Sequence, residues 1–567
     1  MRMLLLLLLF VLPVESLDAQ VFTSKSYANG LVVSADGYAS DVGKEILDKG
    51  GNAVDAAVAV QFALAVTLPR AGNIGGGGFM VIRLANGETA ALDFREVAPG
   101  KATRDMYVKN GEFQRDLSWE GALAVGVPGT VDGMIRALQQ YGRLPLDVVI
   151  QPAIDLARNG YPLSFSHAKD LNNHKETFRK YLASARYFTK GDFISTNDST
   201  QWKEGDLFVQ EDLAHTLERI ARFGREGFYS GPVADAIVNE MNRYGGLITH
   251  KDLRNYESKW RTPITTSFRG YELNIMPPPS SGSIAVGQIL KMIESYPLED
   301  MGHNSADYVH LVSEAMRRAF ADRTYFLGDP DFWEIPISEL MSSEYNNRRM
   351  ESFSMDTATA STELTHGIVP SYTESSETTH FSIVDENGNA VSVTTTLNGS
   401  FGSHVSVTGA GFLLNNEMDD FSAQPGEPNA YGLLGGEANA IEPGKRMLSS
   451  MTPVIASKNG KVRMVLGAAG GPRIITATIQ NFLNSAVFDM SAQQAVSVPR
   501  FHHQWFPDGI LYDDFGLSPD TKSILSQRGH NMMEFYGIGR SHMILVDDNG
   551  ILHSGVDPRG DGGASGY

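Results

Sequence analysis

Two short runs of residues near the middle of the chain show the alternation of polar and apolar side chains that half-buried β-strands have. Residues 379–384 form the first run, and residues 390–396 form a second run rich in β-branched side chains. Between them, Asn387-Gly388 favours a tight turn, because an Asn-Gly pair accepts positive φ angles. A polar stretch without apolar periodicity, residues 370–376, comes just before. The pattern predicts a β-hairpin that begins where an accessible loop ends.

Apolar residues recur at helical spacing through much of the region 129–353, which predicts a mainly helical scaffold there. The predicted helices cover residues 130–141, 146–158, 211–223, 233–244, 283–293 and 305–326. Nearer the N-terminus, we expect a helix that is capped by Ser40 or Asp41 and ends at residues 49–51. Towards the C-terminus, a strand over residues 462–466 should be followed by a helix over residues 472–490.

An apolar helix and a glycine-rich loop follow one another early in the chain. The helix, predicted over residues 52–68, resembles a membrane span, but its polar Asn52 and Asp55 and its modest length favour burial in a large core. The four glycines at 75–78 precede a predicted strand and lack the Lys-Ser/Thr pair of a phosphate-binding loop. We therefore expect these glycines to let two backbone segments approach closely.

Composition limits the classes of function. The 567 residues include 42% apolar and 20% charged side chains, as in a globular protein with a large core. The net charge of −19 argues against a nucleic acid or an anionic membrane surface as partner. The chain has no cysteine, which excludes disulfides and thiolate chemistry.

The first residues have the pattern of a secretory signal. A charged start, Met1-Arg2-Met3, precedes a short leucine-rich run, and small residues near Ala19 offer a cleavage site. The alternative, a buried N-terminal helix, does not explain the purity of the leucine run. We therefore predict that residues 1–19 are a signal peptide and that the mature protein is secreted or periplasmic.

Thr378 lies where the accessible loop meets the predicted hairpin. If the peptide bond between Glu377 and Thr378 is cut, the α-amine of Thr378 becomes a base beside its own hydroxyl. A free α-amine has a pKa of about 7.7–8.0, so much of it is unprotonated near neutral pH. The sequence therefore offers Thr378 as a candidate N-terminal nucleophile.

Five motifs in order support a family resemblance that runs from about residue 29 to residue 567. They are Thr378-Thr-His-Phe-Ser, Asn398, residues 414–421 (Leu-Asn-Asn-Glu-Met-Asp-Asp-Phe), residues 445–453 (Lys-Arg-Met-Leu-Ser-Ser-Met-Thr-Pro) and Gly470-Gly471. With these motifs the chain resembles the γ-glutamyltranspeptidases. The resemblance implies an α+β fold, the four-layer αββα sandwich of N-terminal-nucleophile hydrolases. It also implies that the chain cuts itself into a large piece, 20–377, and a small catalytic piece, 378–567.

The resemblance further implies a reaction. Thr378 would take the γ-glutamyl group of glutathione or a similar compound as an ester and pass it to water, an amino acid or a dipeptide. Thr396 would orient Thr378, and the backbone N–H groups of Gly470 and Gly471 would stabilise the oxyanion. No metal and no cofactor would be needed.

The same resemblance assigns a set of side chains that bind the glutamyl group. Arg95, Ser449 and Ser450 would hold its α-carboxylate, and Asn398, Glu417 and Asp420 its α-amino group. Tyr431 would belong to a lid over the pocket, in the loop 422–446.

Other interpretations of these residues and of the function stay open on sequence alone. Arg95 can simply pair with Glu96 or another acid, Ser449 and Ser450 can be capping hydroxyls, and Gly470-Gly471 can be an ordinary strand-to-helix turn. An enzyme of the same fold could cleave glutaryl-type acyl groups, as cephalosporin acylases do. A different class is an exported protein that binds glutamyl compounds without turnover.

Overall fold

The structure is a computed structural model that describes residues 24–195, 198–364, 377–422, 424 and 436–567. The predicted signal peptide, the polar loop 370–376 and Tyr431 lie outside the described residues. Nothing in the fold therefore tests the interpretation of those three segments.

A seven-stranded antiparallel sheet, the first sheet, contains the predicted hairpin. Its strands lie in the order Gly563–Gly566, Leu31–Ser34, Thr379–Val384, Ala390–Thr396, Gly77–Arg83, Thr89–Asp93 and Lys259–Arg261. The hairpin pairs Thr379 with Thr395 and Val384 with Ala390, so both of its strands have the bounds that the alternation predicts. Because the hairpin is central, its strands have neighbours on both sides.

A second antiparallel sheet packs on the first. Its order is Ser26–Tyr27, Leu552–Val556, Arg540–Val546, Lys461–Leu466, Val454–Lys458, Tyr271–Ile275 and Ile264–Phe268, and Ala468–Ala469 also pairs with Arg540–Val546. Three small sheets join Phe501–His502 with Ile510–Asp513 and Met532–Phe535, Val108–Lys109 with Glu112–Phe113, and Tyr161–Pro162 with Leu207–Phe208.

Strand alternation sends side chains of each sheet into two different cores. In the first sheet, Leu31 and Val33 pack with Ile455 and Val465 of the second sheet, in the core between the sheets. Val32, which lies between them, instead joins the core under the helices on the outer face. A third core lies between the second sheet and its own helices. The layers are therefore helix, sheet, sheet, helix, which confirms the predicted αββα sandwich.

The helices of at least four residues flank these sheets. They are Gly37–Asp48, Ala53–Thr67, Arg115–Trp119, Thr130–Tyr141, Leu146–Asn159, Phe165–Asn173, Lys175–Phe178, Leu182–Phe188, Glu211–Phe223, Glu226–Tyr229, Gly231–Tyr244, His250–Asn255, Gly282–Ile293, Leu298–Met301, Ala306–Phe326, Ile337–Leu340, Ser343–Arg349, Arg473–Ala486, Ala492–Ser497 and Pro519–Gln527. Short 3₁₀ turns cover Ala122–Ala124, Ser361–Glu363, Glu417–Asp420 and Glu437–Asn439.

The apolar helix Ala53–Thr67 is fully buried, as its composition predicts. Asn52 caps it in a capping box with Asp55, which explains the polar residues at its start. Among the described residues, no helix is both long and apolar enough to cross a membrane.

One local prediction was wrong. The first helix begins at Gly37 and is capped by Asp36, whose side chain accepts the N–H of Ala39, and not by Ser40 or Asp41. Ser40 instead bonds to Ser34 and to the carbonyl of Gly563. The region 129–353 is mainly helical, as predicted, and sequence reasoning missed the three strands between residues 259 and 275, which lie at the edges of the two sheets.

The glycines at 75–78 do allow close backbone approach. A Cβ on Gly76 would lie 2.2 Å from the carbonyl oxygen of Thr396, and one on Gly75 would lie 2.1 Å from that of Leu413. The loop therefore packs directly against the C-terminal end of the hairpin, where Thr396 stands.

Candidate active site

A chain of hydroxyl hydrogen bonds joins Thr378 to the carbonyl of the residue before it. The Thr378 hydroxyl donates to Thr396 Oγ1 over 3.4 Å, and the Thr396 hydroxyl donates to the Glu377 carbonyl oxygen over 2.9 Å. Asn398, held at a φ of 75°, donates its backbone N–H to Thr396 Oγ1 over 2.8 Å. Thr396 therefore both polarises the carbonyl of Glu377 and accepts from the hydroxyl next to it.

His380 belongs to the same motif but is engaged elsewhere. Its ring nitrogens lie 2.9 Å from Thr394 Oγ1 and 3.1 Å from Ser382 Oγ. Burial lowers the pKa of His380 well below its ordinary value, so the ring stays neutral. Both ring nitrogens thus have structural partners, and the imidazole is not placed as a base for Thr378.

The glycine pair lies at the strand-to-helix turn between Ala468–Ala469 and Arg473–Ala486. Gly470 and Gly471 have φ angles of 134° and 58°, which favour glycine. A Cβ on Gly470 would meet the Cα of Gly539 at 3.1 Å. The turn opens on a helix N-terminus, where backbone N–H groups lack partners within the helix and can donate hydrogen bonds to a negative oxygen.

A buried arginine lies at the centre of an acidic cluster. Arg95 Nη1 lies 2.6 Å from Glu417 Oε2 and 3.6 Å from Glu96 Oε2, and Nη2 lies 2.6 Å from Asp420 Oδ2. The 3₁₀ turn Glu417–Asp420 brings two of these acids to the same guanidinium. Arg95 therefore forms ion pairs in this structure, as one of the interpretations of the sequence proposed. Its role in substrate binding stays a prediction.

Burial sets the protonation of this cluster. It raises the pKa of Glu96 to about 8 and raises the pKa values of Glu417 and Asp420 above their ordinary range, against the opposing charge of Arg95. Burial also lowers the pKa of Arg95, but the three carboxylates outweigh it and raise that pKa overall. One guanidinium thus faces three carboxyl groups, whose raised pKa values favour protonated acids, and a second cation would replace a proton that they hold.

A small pocket of about 20 Å³ connects the nucleophile to this cluster. It is lined by Arg95, Arg323, Thr378, Thr396, Asn398, Asp420, Ser449, Ser450, Met451, Gly471, Pro472 and Ile474. The structure therefore brings together most of the side chains that the sequence predicts for the site. Glu417 joins them through Arg95, Gly470 adjoins Gly471 in the chain, and Tyr431 lies outside the described residues.

Sequence reasoning missed Arg323 of this pocket. It extends from the long helix Ala306–Phe326 and donates to Ser281 Oγ over 2.9 Å and to Ser450 Oγ over 3.3 Å. Burial lowers its pKa to about 10. The signal was present in the sequence, because several arginines within a helix of apolar periodicity indicate buried charges that need partners.

Sequence reasoning also missed two arginines beside Glu377. Arg540 Nη2 donates to Glu377 Oε1 over 3.0 Å, and Arg70 Nη1 lies 3.4 Å from Glu377 Oε2. No spacing in the sequence links these three residues, which come from distant parts of the chain. Among the described residues, no group of three or more His, Cys, Asp or Glu could hold a metal ion.

Two stacked antiparallel sheets between helical layers, with a threonine directly before a central strand, define the class of N-terminal-nucleophile hydrolases. A cephalosporin acylase from Bacillus halodurans has a similar structure, with a TM-score of 0.85 and 26% identity over 99% of each chain. The γ-glutamyltranspeptidase of Helicobacter pylori matches with a TM-score of 0.56 and 47% identity over 58% of this chain and 93% of that one.

Sequence comparison gives the family. The γ-glutamyltranspeptidase family model matches residues 39–567. The glutathione hydrolase proenzyme of Escherichia coli K12 is 45% identical over 96% of this chain and 92% of its own length. The protein belongs to the γ-glutamyltranspeptidase family.

Proposed function

We propose that this protein is a γ-glutamyltransferase and glutathione hydrolase that activates itself by cutting the bond between Glu377 and Thr378. The observation that carries the proposal is the hydrogen-bond chain from Thr378 through Thr396 to the carbonyl of Glu377. In this chain the Thr378 hydroxyl and the carbonyl to which Thr396 donates lie next to each other, at the edge of a pocket lined by charged side chains, which supports attack of one on the other. The relative from Escherichia coli is named a proenzyme, which agrees with self-cleavage.

Self-cleavage is the first reaction. Thr378 Oγ bonds to the carbonyl carbon of Glu377 while the bond from that carbon to the Thr378 nitrogen breaks, and the hydroxyl proton ends on that nitrogen. Water then hydrolyses the ester, which leaves a carboxylate on Glu377 and a free amine on Thr378. The Thr396 hydroxyl supports the first step because it already donates to the oxygen that becomes negative.

Turnover uses the freed end of the chain. Thr378 Oγ attacks the γ-carbonyl of the substrate, and the new α-amine takes the hydroxyl proton and returns it to the leaving amine. The N–H groups of Gly470 and Gly471 stabilise the oxyanion. Water releases glutamate from the resulting ester, or the amine of an amino acid or dipeptide takes the glutamyl group.

The charges of the pocket favour a glutamyl group. Its α-ammonium supplies the positive charge that three carboxyl groups around one guanidinium can accept. Its α-carboxylate can bind Arg95 together with Ser449 and Ser450, a pairing suited to a planar two-pronged donor. A pocket of about 20 Å³ holds little more than one water molecule, so entry of this group requires the Arg95 ion pairs to rearrange.

The acidic cluster around Arg95 argues against the alternative function, a glutaryl acylase. A glutaryl group has no ammonium, and it would leave Glu417 and Asp420 without a new positive partner. Burying such groups unpaired costs about 2–5 kcal/mol, enough to disfavour that substrate. The fold alone does not separate the two functions, because a cephalosporin acylase shares it.

Export through a signal peptide at residues 1–19 is part of the proposal. It rests on the charged start and the leucine run of the sequence. The intact mass of the purified protein would show whether these residues are removed.

The test compares two neighbouring threonines. Thr378→Ala should remain one uncut chain, inactive on a γ-glutamyl anilide, whereas the wild type gives two bands on a denaturing gel. Thr379→Ala is the control, because its buried hydroxyl oxygen has no hydrogen-bond partner among the described residues, and its loss should leave cleavage unchanged. Normal cleavage of Thr378→Ala would refute the proposed nucleophile, and a wild type that stays one chain would favour the non-catalytic binder.

A further inference from the structure

We propose that Arg70 and Arg540 form a clamp that holds the side chain of Glu377 and thereby positions the bond to be cut. This inference rests on the proposed cleavage before Thr378. It assigns a role to three residues outside the glutamyl pocket, and it makes the identity of residue 377 matter for maturation.

The clamp consists of two cations on one carboxylate. Arg540 Nη2 lies 3.0 Å from Glu377 Oε1, and Arg70 Nη1 lies 3.4 Å from Glu377 Oε2. The exposed fractions of the Glu377, Arg70 and Arg540 side chains are 12%, 17% and 22%, so solvent screens these charges less than those of a surface pair. Arg70 is itself held by Asp170 at 3.2 Å.

The charge of Glu377 is retained in this setting. Burial raises the pKa of a carboxyl group, but the charges of Arg70 and Arg540, with hydrogen bonds from Arg540 and Ser400, lower the pKa of Glu377 below its ordinary value. The carboxylate is therefore ionised at neutral pH and bound by charge on two sides.

Each arginine extends from a segment whose backbone contacts a part of the chain next to the reaction site. Arg540 begins a strand of the second sheet and pairs with Ala469, the residue directly before Gly470. Arg70 accepts the N–H of Phe401 on its carbonyl oxygen, in the loop that follows Asn398. The two arginines therefore hold Glu377 at a fixed position relative to the oxyanion turn and to the loop after Thr396.

Fixing the side chain of Glu377 fixes its carbonyl as well. The carbonyl oxygen lies 2.9 Å from the Thr396 hydroxyl oxygen, a distance that free rotation of the Glu377 backbone would lose. Attack by Thr378 needs this carbonyl in one orientation, and a small misplacement slows such steps strongly. The clamp acts before the cut, since afterwards Glu377 is no longer joined to Thr378.

Because the clamp acts only before the cut, its loss should have an effect that differs from the loss of a residue that merely stabilises the fold. Weakening it should slow maturation while the matured enzyme keeps its kcat and KM. Loss of one charged hydrogen bond predicts cleavage slower by about tenfold or more. A residue that only stabilised the fold would instead lower the melting temperature and the activity of the matured enzyme.

The experiment follows cleavage of full-length Glu377→Gln, Arg540→Ala and Arg540→Lys over time on denaturing gels, with kcat and KM measured on the matured fraction. We expect slow cleavage in the first two variants, partial recovery in Arg540→Lys, and matured enzyme that matches the wild type. Arg463→Ala is the control, because Arg463 has the same exposed fraction as Arg540, 22%, and a 2.7 Å ion pair with Asp548. It lies on the strand Lys461–Leu466 of the second sheet and does not contact Glu377 in any ion pair between described residues. This variant should mature at the wild-type rate.

The outcomes separate this inference from the proposed function. Normal cleavage of Glu377→Gln and Arg540→Ala, with Thr378→Ala uncut, would overturn the clamp alone, as would reduced kcat/KM in their matured forms. Cleavage of Thr378→Ala would overturn both. If Arg540→Ala does not melt cooperatively, Glu377→Gln decides, because it leaves both arginines in place.

Discussion

At the scale of single residues, Arg95 is the most informative group. Its two terminal nitrogens each lie 2.6 Å from a different carboxylate, in a setting where its side chain has no exposed surface. An isolated buried charge is costly, so the ion pairs compensate its burial. A substrate carboxylate that binds the same guanidinium must replace one of these pairs, and the displaced acid can then meet the substrate ammonium.

Arg95→Ala should raise the KM for a γ-glutamyl anilide by about 30-fold or more, because a buried charged partner is worth about 2–5 kcal/mol. Steady-state kinetics on matured protein would measure this. Arg83→Ala is the matched control, since Arg83 is also largely buried in the first sheet but donates to the carbonyl of Gly460, outside the pocket. An unchanged KM in Arg95→Ala would remove Arg95 from the binding site.

Glu96 predicts a pH dependence of stability. Burial raises its pKa to about 8, above its ordinary value of 4.5, so the folded state binds more protons than the unfolded state between these values. The free energy of unfolding should therefore fall as pH rises from about 5 to about 8, and Glu96→Gln should flatten this slope. Melting temperatures at several pH values would test it, and an equal slope in both proteins would contradict it.

Single residues also show what the sequence could not predict. Thr378 and Asn398 were identified from motifs and Thr396 from the role that the resemblance implies, and all three lie within one hydrogen-bond chain. Arg540 pairs with a residue 163 positions away, and no local pattern encodes such a contact. Long-range ion pairs depend on the packing of the whole fold.

At the scale of elements, the turn that carries Gly470 and Gly471 shows how a strand and a helix build a reaction site. The strand Ala468–Ala469 fixes one end through its pairing with Arg540–Val546, and the helix from Arg473 fixes the other. Both glycines need positive φ, and the close approach of Gly539 leaves little room for a side chain at Gly470. The geometry therefore requires glycine at position 470.

Gly470→Ala should lower kcat by about a hundredfold, because a shifted N–H no longer stabilises the oxyanion. Gly460→Ala is the control, because Gly460 also has a positive φ, of 75°, but open space around an added Cβ and a position away from the site. That variant should lose stability of about 1 kcal/mol and keep its kcat. Equal kcat values for Gly470→Ala and the wild type would exclude this turn from catalysis.

Elements with strong periodicity were predictable. The hairpin strands and the helices Thr130–Tyr141 and Glu211–Phe223 have the predicted bounds. The hairpin Ile264–Phe268 and Tyr271–Ile275 was missed, because its second strand joins the sheet by pairing with Val454–Lys458, which lies far along the chain. Asp36 was missed as the first cap because the helix begins earlier than we predicted. Ser40, one of the predicted caps, bonds to Ser34 instead.

At the scale of the whole molecule, the two predicted pieces are interleaved in both sheets. Gly77–Arg83 pairs with Ala390–Thr396 across the first sheet, and Tyr271–Ile275 pairs with Val454–Lys458 across the second. The core between the sheets contains side chains from both sides of Glu377. Cutting one bond therefore removes none of these contacts.

The two pieces should stay together after cleavage, because both sheets contain strands from both pieces. No disulfide can join them, since the chain has no cysteine. Size-exclusion chromatography of matured protein should give one peak that contains both pieces, and a denaturing gel should separate them. Elution of the small piece by itself under native conditions would contradict this interleaved arrangement.

The reactive group that we propose is Thr378, an N-terminal threonine made by self-cleavage. The most direct test of this proposal is to separate uncut from matured protein and to measure the intact mass and the γ-glutamyl anilide activity of each. We expect activity only in the fraction whose small piece begins at Thr378. Full activity in a fraction whose mass shows an unbroken bond between Glu377 and Thr378 would contradict it.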